Sequence, residues 1–169
     1  MFDDSCMTVK VSCWYWPLER KQSVKRNVNP RTILLVEDDS NDTLLLQRAF
    51  RRAGITLPLQ MVSDGDQAVA YLRGDDQYAD RKTYPLPSLI LLDLKLPRRS
   101  GLEVLQWLRQ EAPGPVKEIP VIVLTSSRLS EDVDQAYSLG ANSYMAKPSG
   151  NYDGLAEMVK SLEEKNQAR

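Results

Sequence analysis

In the stretch LILLDLKLPRRSG, residues 89–101, a run of aliphatic side chains delivers a single carboxylate, Asp93, and a proline interrupts the chain four residues later. Three other segments end their apolar runs in the same way. TILLVEDD (32–39) closes on Glu37, Asp38 and Asp39, IPVIVLTSS (119–127) on Thr125, Ser126 and Ser127, and NSYMAKP (142–148) on Lys147 and Pro148. Carboxylates brought together repel one another, and a hard divalent cation such as Mg2+ relieves that, held by one or two carboxylates plus waters and a phosphate. Asp38 and Asp93 are the natural pair of ligands, and the main-chain carbonyl of Lys95 is a candidate third oxygen. One Asp93 oxygen would then coordinate while the other attacks phosphorus, giving an aspartyl phosphate. Lys147 supplies a point charge for phosphoryl oxygens, and the Thr125 hydroxyl donates to the same group. Each feature alone has an ordinary explanation. A strand-end aspartate often caps a helix, acids before a helix serve its dipole, and Thr-Ser-Ser or Lys-Pro is common in turns. Their recurrence at four corresponding places carries the functional reading.

The elements that would present these residues follow from hydrophobic periodicity. TILLVEDD reads as a buried strand. The helix after it has Ser40 or Asn41 as N-cap, an inward stripe of Leu46, Ala49, Phe50 and Ala53, and Gly54 as its stop. LQMVS (59–63) is a second strand, followed by a helix with Ala68, Tyr71 and Leu72 inward. The polar stretch DDQYADRKTYPLP (75–87) reads as a long solvated loop, with Tyr78 and Tyr84 as candidates for partner docking. Strand three, SLILLD, leads to a helix with Leu102, Leu105 and Leu108 inward. Strand four, IPVIVLTSS, leads to a helix capped by Ser130 and ended by Gly140. NSYMAK is strand five, and the last helix carries Leu155, Met158, Val159 and Leu162 on one face. Five strands alternating with five helices, with near-continuous Val/Ile/Leu strands, imply an α/β fold with a parallel sheet covered on both faces. In such sheets ligands bind beyond the carboxyl ends of the strands, where Glu37, Asp38, Asp93, Thr125 and Lys147 fall.

Composition narrows the chemistry. With 169 residues, the chain is long enough for one domain with its own core. Its net charge of −1 gives no field favouring nucleic acid or an anionic membrane. There is no histidine, which removes a histidine base, metal ligand or phosphohistidine from this chain. Cys6 and Cys13 suit neither a disulfide framework nor a zinc site, and read as reduced thiols of a cytoplasmic protein. No apolar stretch is long enough to span a bilayer, and the first thirty residues lack the apolar core of a signal peptide. They read as an N-terminal extension (1–30), either disordered, an edge strand through the alternating Val9, Val11, Cys13 and Tyr15, or the product of a start site assigned too far upstream. The main domain is expected over residues 31–165, with a tail at 166–169. Neither G-x-x-x-x-G-K-[ST] nor G-x-G-x-x-G occurs, which argues against nucleotide binding.

LLVEDD, LILLDLKLPRRSG, IPVIVLTSS and GANSYMAKP together resemble the signature segments of the receiver domain of two-component response regulators. The resemblance covers roughly residues 31–165. It implies a flavodoxin-like, doubly wound sheet of order 2-1-3-4-5. It also implies Glu37 and Asp38 as the acidic pair, Glu37 through a water, and Asp93 as the phosphoacceptor. Thr125, with Ser126, would be the switch hydroxyl, Tyr144 the switch aromatic, and Lys147 the lysine preceding a cis Pro148. The long stretch before strand three, the EDDSND opening and the NSYMAKP ending are similar to single-domain regulators paired with bacterial phytochromes. Lys95 and Ser127 occupy positions that tune phosphate lifetime in the family.

The resemblance implies a switch rather than an enzyme. A partner histidine kinase would donate a phosphoryl group to Asp93 with Mg2+ bound, Thr125 and Lys147 would close on it, and Tyr144 would rotate inward. The face formed by helix four, strand five and helix five would then be remodelled for a partner or a second copy of the chain. Only 21 residues follow Pro148, so no DNA-binding output domain is expected there. One alternative is a pseudo-receiver that binds without phosphorylation. The other is an aspartate-nucleophile phosphatase of the haloacid dehalogenase type, disfavoured because Lys95 stands where that class has its second aspartate.

Overall fold

The computed structural model describes residues 31–126, 130–148 and 150–167. The extension at 1–30 with its two cysteines, Ser127, and the end of the expected tail lie outside the described residues.

Five strands, β1 (Ile33–Val36), β2 (Leu59–Val62), β3 (Leu89–Asp93), β4 (Val121–Thr125) and β5 (Ser143–Ala146), form one sheet in the order β2-β1-β3-β4-β5. Every neighbouring pair is parallel. The helices are α1 (Ser40–Ala53), α2 (Gly65–Arg73), α3 (Gly101–Gln110), α4 (Ser130–Ser138) and α5 (Asp153–Gln167). This is the α/β architecture and strand order expected, and no described helix is long and apolar enough to cross a membrane.

Alternation along the strands divides the core in two. Leu34, Val36, Ile90, Leu92, Val121 and Val123 face α2, α3 and α4, while Ile33, Leu35, Leu89, Leu91, Ile122 and Leu124 face α1 and α5. All residues of β1, β3 and β4 are buried. Each aliphatic side chain so buried contributes about 1.5–3 kcal/mol relative to exposure. The expected inward residues of α2 are buried, as are Leu155 and Val159 of α5. In α3 the buried stripe runs through Val104, Leu105, Trp107 and Leu108, and Leu102 is only partly buried. Register aligns Val62, Val36, Leu92, Val123 and Tyr144 in one row across the sheet. The residues following that row open on a single rim.

Two local expectations change. The N-cap of α1 is Asp39, not Ser40 or Asn41: its backbone is extended and its carboxylate accepts the Asn41 N–H at 2.7 Å. A full negative charge there also complements the helix dipole. Gly54 ends α1 in the left-handed conformation, as expected. The 75–87 stretch is largely exposed, as expected, but it is anchored by the buried Tyr78, Pro85 and Pro87. It contains a short 3-10 helix, Asp76–Tyr78. Tyr78 is buried and packs with Tyr71 and Tyr84, ring centroids 5.2–6.0 Å apart. The Arg81 guanidinium donates to the carbonyls of Tyr71, Leu72 and Tyr84, using the unsatisfied end of α2. Tyr78 is therefore a core residue and unavailable as a docking contact.

At the end of the sheet away from the carboxyl rim, Arg109 of α3 donates to the carbonyls of Gly140, Lys117 and Ile119 and to Asn142 Oδ1. Asn142 Oδ1 also accepts the Val121 N–H, at 2.8 Å. One guanidinium thus joins the end of α3, the entry to β4 and the turn after α4.

Candidate functional site

Glu37 follows the last residue of β1 and is buried, with its N–H bonded to the Val62 carbonyl at 3.0 Å. Asp38, next in the chain, is exposed at the rim. Asp93 ends β3, and only 4% of it is exposed. Its Oδ1 accepts the Lys95 N–H at 3.0 Å, which fixes the carboxylate rotamer, and its Oδ2 accepts from Lys147 Nζ at 2.6 Å. Lys147 follows β5 and is tied to β4 by its own N–H, bonded to the Thr125 carbonyl at 2.8 Å. Thr125 is fully buried at the end of β4, beside an exposed Ser126. Tyr144 is half-buried against the α2–α4 side of the core, and burial first and Asp132 second push its phenol up.

Lys147 Nζ is the hub. It pairs with Glu37 Oε2 at 2.6 Å, Asp93 Oδ2 at 2.6 Å and Asp42 Oδ2 at 3.0 Å. Burial alone would lower the lysine, but its bonds to Asp93 and Glu37 outweigh that and hold it above the ordinary range, so the ammonium stays charged. Burial moves Glu37 the other way and raises it, with Lys147 opposing. Asp42 was not legible as a site residue, since an acid in the first turn of a helix reads as a dipole partner. The available signal was its place in the first turn of the helix that follows the acidic strand end.

Two close approaches keep Asp93 in place. A Cβ on Gly101 would lie 2.0 Å from the Asp93 carbonyl oxygen, and one on Gly65 would lie 2.1 Å from the Arg99 carbonyl oxygen. The loop between β3 and α3 therefore passes against the starts of both α3 and α2 with no room for a methyl. Arg98, in the left-handed region at φ 64°, pairs with the buried Asp64 at 2.5 Å, and Asp64 caps α2 by accepting the Gln67 N–H.

Glu37, Asp38 and Asp93 each offer a carboxylate oxygen within 4.8 Å of the others. An octahedral cation with bonds near 2.0–2.1 Å spans oxygens up to about 4.2 Å apart. The set therefore suits a hard divalent ion. All donors are oxygens, and with Asp42 the rim carries four carboxylates against one ammonium, a charge balance that a dication improves. One expectation is corrected. Among the described residues there is no cis peptide bond, so the bond before Pro148 is trans. Trans is the intrinsically favoured isomer; Gly150, at φ 91°, bonds its N–H to the Pro148 carbonyl at 2.8 Å.

Comparison with known proteins agrees with this geometry. Residues 33–160 match the family model of the response regulator receiver domain. Response regulator Rcp1 of Synechocystis sp. is 40% identical over 134 residues, covering 79% of this chain and 87% of Rcp1. The Mn2+-bound crystal structure of Rcp1 superposes with a TM-score of 0.67, covering 79% of this chain and 92% of that one. RPA3017, a response regulator in red light signaling of R. palustris, superposes with a TM-score of 0.69 at 39% identity, covering 78% and 90% of the two chains. The phosphorylated cyanobacterial phytochrome response regulator RcpA gives 0.68 at 38% identity, covering 80% and 93%. With its sheet order, its acidic rim and this breadth of match, the chain belongs to the response regulator receiver domain family, the phosphoacceptors of two-component signalling.

Proposed function

We propose that this chain is a phosphorylation switch whose acceptor is Asp93 and whose donor is the phosphohistidine of a partner histidine kinase of the phytochrome type. The observation that carries the reading is the meeting of Asp93, Glu37 and Lys147 within hydrogen-bond distance at the carboxyl rim, with Thr125 at the neighbouring strand end. These 169 residues contain no histidine and so do not themselves supply the phosphohistidine. The kinship to RcpA, a phytochrome response regulator, and to RPA3017, in red light signaling, supports a photoreceptor kinase as that partner.

In the transfer, an Asp93 carboxylate oxygen attacks phosphorus. The new O–P bond forms as the N–P bond breaks, and its electron pair leaves on the donor imidazole, which takes up a proton. Asp38, Asp93 and the Lys95 carbonyl, with Glu37 through a water, would hold Mg2+, which would offset the negative charge of the rim and of the phosphoryl oxygens. The Lys95 N–H and Lys147 Nζ hold the two Asp93 oxygens in fixed directions before reaction. Afterwards the phosphoryl group carries about −1.5 to −2 charge and three strong acceptors. Lys147 then pairs with it, and Thr125, with Ser126 beside it, donates to it. Displacement of Thr125 frees space that the half-buried Tyr144 turns into. The face of α4, β5 and α5 is remodelled by that exchange and serves a second copy of the chain. The chain acts as a switch with self-dephosphorylation only, in the cytoplasm, with no direct contact to nucleic acid or membrane. The domain runs from residue 31 to the end of α5 at Gln167, two residues past the expected boundary, and the preceding thirty residues are an extension.

The test is incubation with acetyl phosphate and Mg2+ for the natural chain and Asp93→Asn. Acid-labile phosphate should appear on the first and be absent from the second while both melt cooperatively. A phosphorylated Asp93→Asn would refute the assignment.

A further inference from the structure

An ammonium group has three N–H donors, and Lys147 spends them on Glu37, Asp93 and Asp42. Two of those three acceptors also belong to the oxygen cluster suited to a cation, which comprises Glu37, Asp38 and Asp93. Asp93 is moreover the carboxylate that would be esterified by phosphorus. Asp42 is outside both sets. It sits in the first turn of α1, with its side chain partly sheltered. Behind it stands Tyr152, buried just before α5, whose phenol is pushed up by burial first and by the Asp42 carboxylate second. At the other end of α1, Arg52 pairs with Asp153, so the helix carrying Asp42 is tied to the start of α5.

From this we infer that Asp42 is a positioning residue for phosphoryl acceptance: it keeps Lys147 on the rim when the cation draws on Glu37 and phosphorus draws on Asp93. The inference rests on the Asp93 reading and deepens it. Of the lysine's three bonds, only the one to Asp42 persists from the resting to the phosphorylated state. The ammonium turns about that anchor, exchanging Asp93 Oδ2 for a phosphoryl oxygen. Without Asp42, the long flexible lysine stem is free to leave for solvent at the moment its charge is needed.

The experiment uses the full chain, Asp42→Ala and Asp42→Asn. With beryllofluoride and Mg2+, the Lys147 side-chain ammonium is observed by 1H–15N correlation NMR, where a resonance persists only if its protons are held. In parallel, the rate of phosphorylation is followed against acetyl phosphate concentration. The natural chain should show the resonance. Asp42→Ala should lose it and lower the maximal rate between about tenfold and a hundredfold, with half-saturation little changed. Asp42→Asn, whose amide oxygen still accepts, should retain the resonance and most of the rate. The inference is overturned if Asp42→Ala keeps both the resonance and the rate, or if Asp42→Asn behaves as Asp42→Ala. If the natural chain itself takes neither phosphate nor beryllofluoride, the Asp93 reading falls instead, which separates the two failures.

Discussion

Lys147→Met keeps the stem of the side chain and removes the charge that Glu37, Asp93 and Asp42 share. Removing one partner of a buried ion pair costs about 3–5 kcal/mol, because the other is left uncompensated. The cluster has one escape, which is to take up a proton. For a carboxyl with the ordinary glutamate value of 4.5, protonation at pH 7.5 costs about 4 kcal/mol. That is a ceiling on the penalty, and escape of Asp42 into solvent lowers it further. In a chelator and without divalent ions, Lys147→Met should therefore be about 2–4 kcal/mol less stable than the natural chain at pH 7.5. The pH dependence identifies the cause. A carboxyl whose folded-state pKa lies above its unfolded value binds more protons when folded, so stability is greatest below the unfolded value and falls as pH rises through the folded one. Acidification from pH 7.5 to 5.5 should thus recover up to about 2.7 kcal/mol in the variant, and added Mg2+ should stabilise it at pH 7.5. Urea unfolding followed by tryptophan fluorescence measures this, Trp107 being buried. A variant as stable as the natural chain at pH 7.5, or one whose deficit does not shrink on acidification, would refute the hub.

Burial pushes the Tyr71 phenol up to about 12, and its hydroxyl donates to the Pro85 carbonyl at 2.8 Å. The unfolded chain loses this proton first, so stability present below pH 10 declines as pH rises towards 12. This group alone removes about 1.4 kcal/mol between pH 8 and pH 11, and Tyr71→Phe should show a correspondingly shallower fall in urea midpoint over that range. An equal slope in both proteins would count against it. Gly101→Ala sets a methyl 2.0 Å from the Asp93 carbonyl oxygen and 2.7 Å from Leu94 Cα, both backbone atoms that cannot swing aside. It should cost about 1–3 kcal/mol and slow acetyl phosphate labelling by moving Asp93. Natural melting and labelling would show that the loop yields without consequence.

What the sequence disclosed follows its physics. β1, β3 and β4 are buried on both faces, so uninterrupted runs such as LILLD announce them. The ends of those runs then locate Glu37, Asp93 and Thr125, and a closing Lys147 follows on β5. The strand order came from family resemblance, because periodicity does not say which strands are neighbours. The 75–87 stretch misled because its order comes from tertiary contacts. Tyr78 and Tyr84 stack on Tyr71, and Arg81 closes the end of α2, while the local composition stays polar. Asp39 displaced Ser40 as cap because both residue types fit, and only backbone geometry decides. Asp42 escaped notice for a related reason: its partner is 105 positions away in the sequence, across the sheet.

The Arg109 cluster has a mechanical consequence. It clamps the Gly140 carbonyl, immediately beyond the C-terminal end of α4, to α3 and to the base of β4. Nine residues long, α4 measures about 13 Å. Held at its far end and packed on the core through the buried Ala136, it would answer a shift at Thr125 by tilting, and a tilt of about ten degrees would carry its N-terminal end roughly 2 Å. On the proposed reading the output of such a device is angular: a partner would sense the inclination of one short helix, with the greatest travel at its N-terminal end.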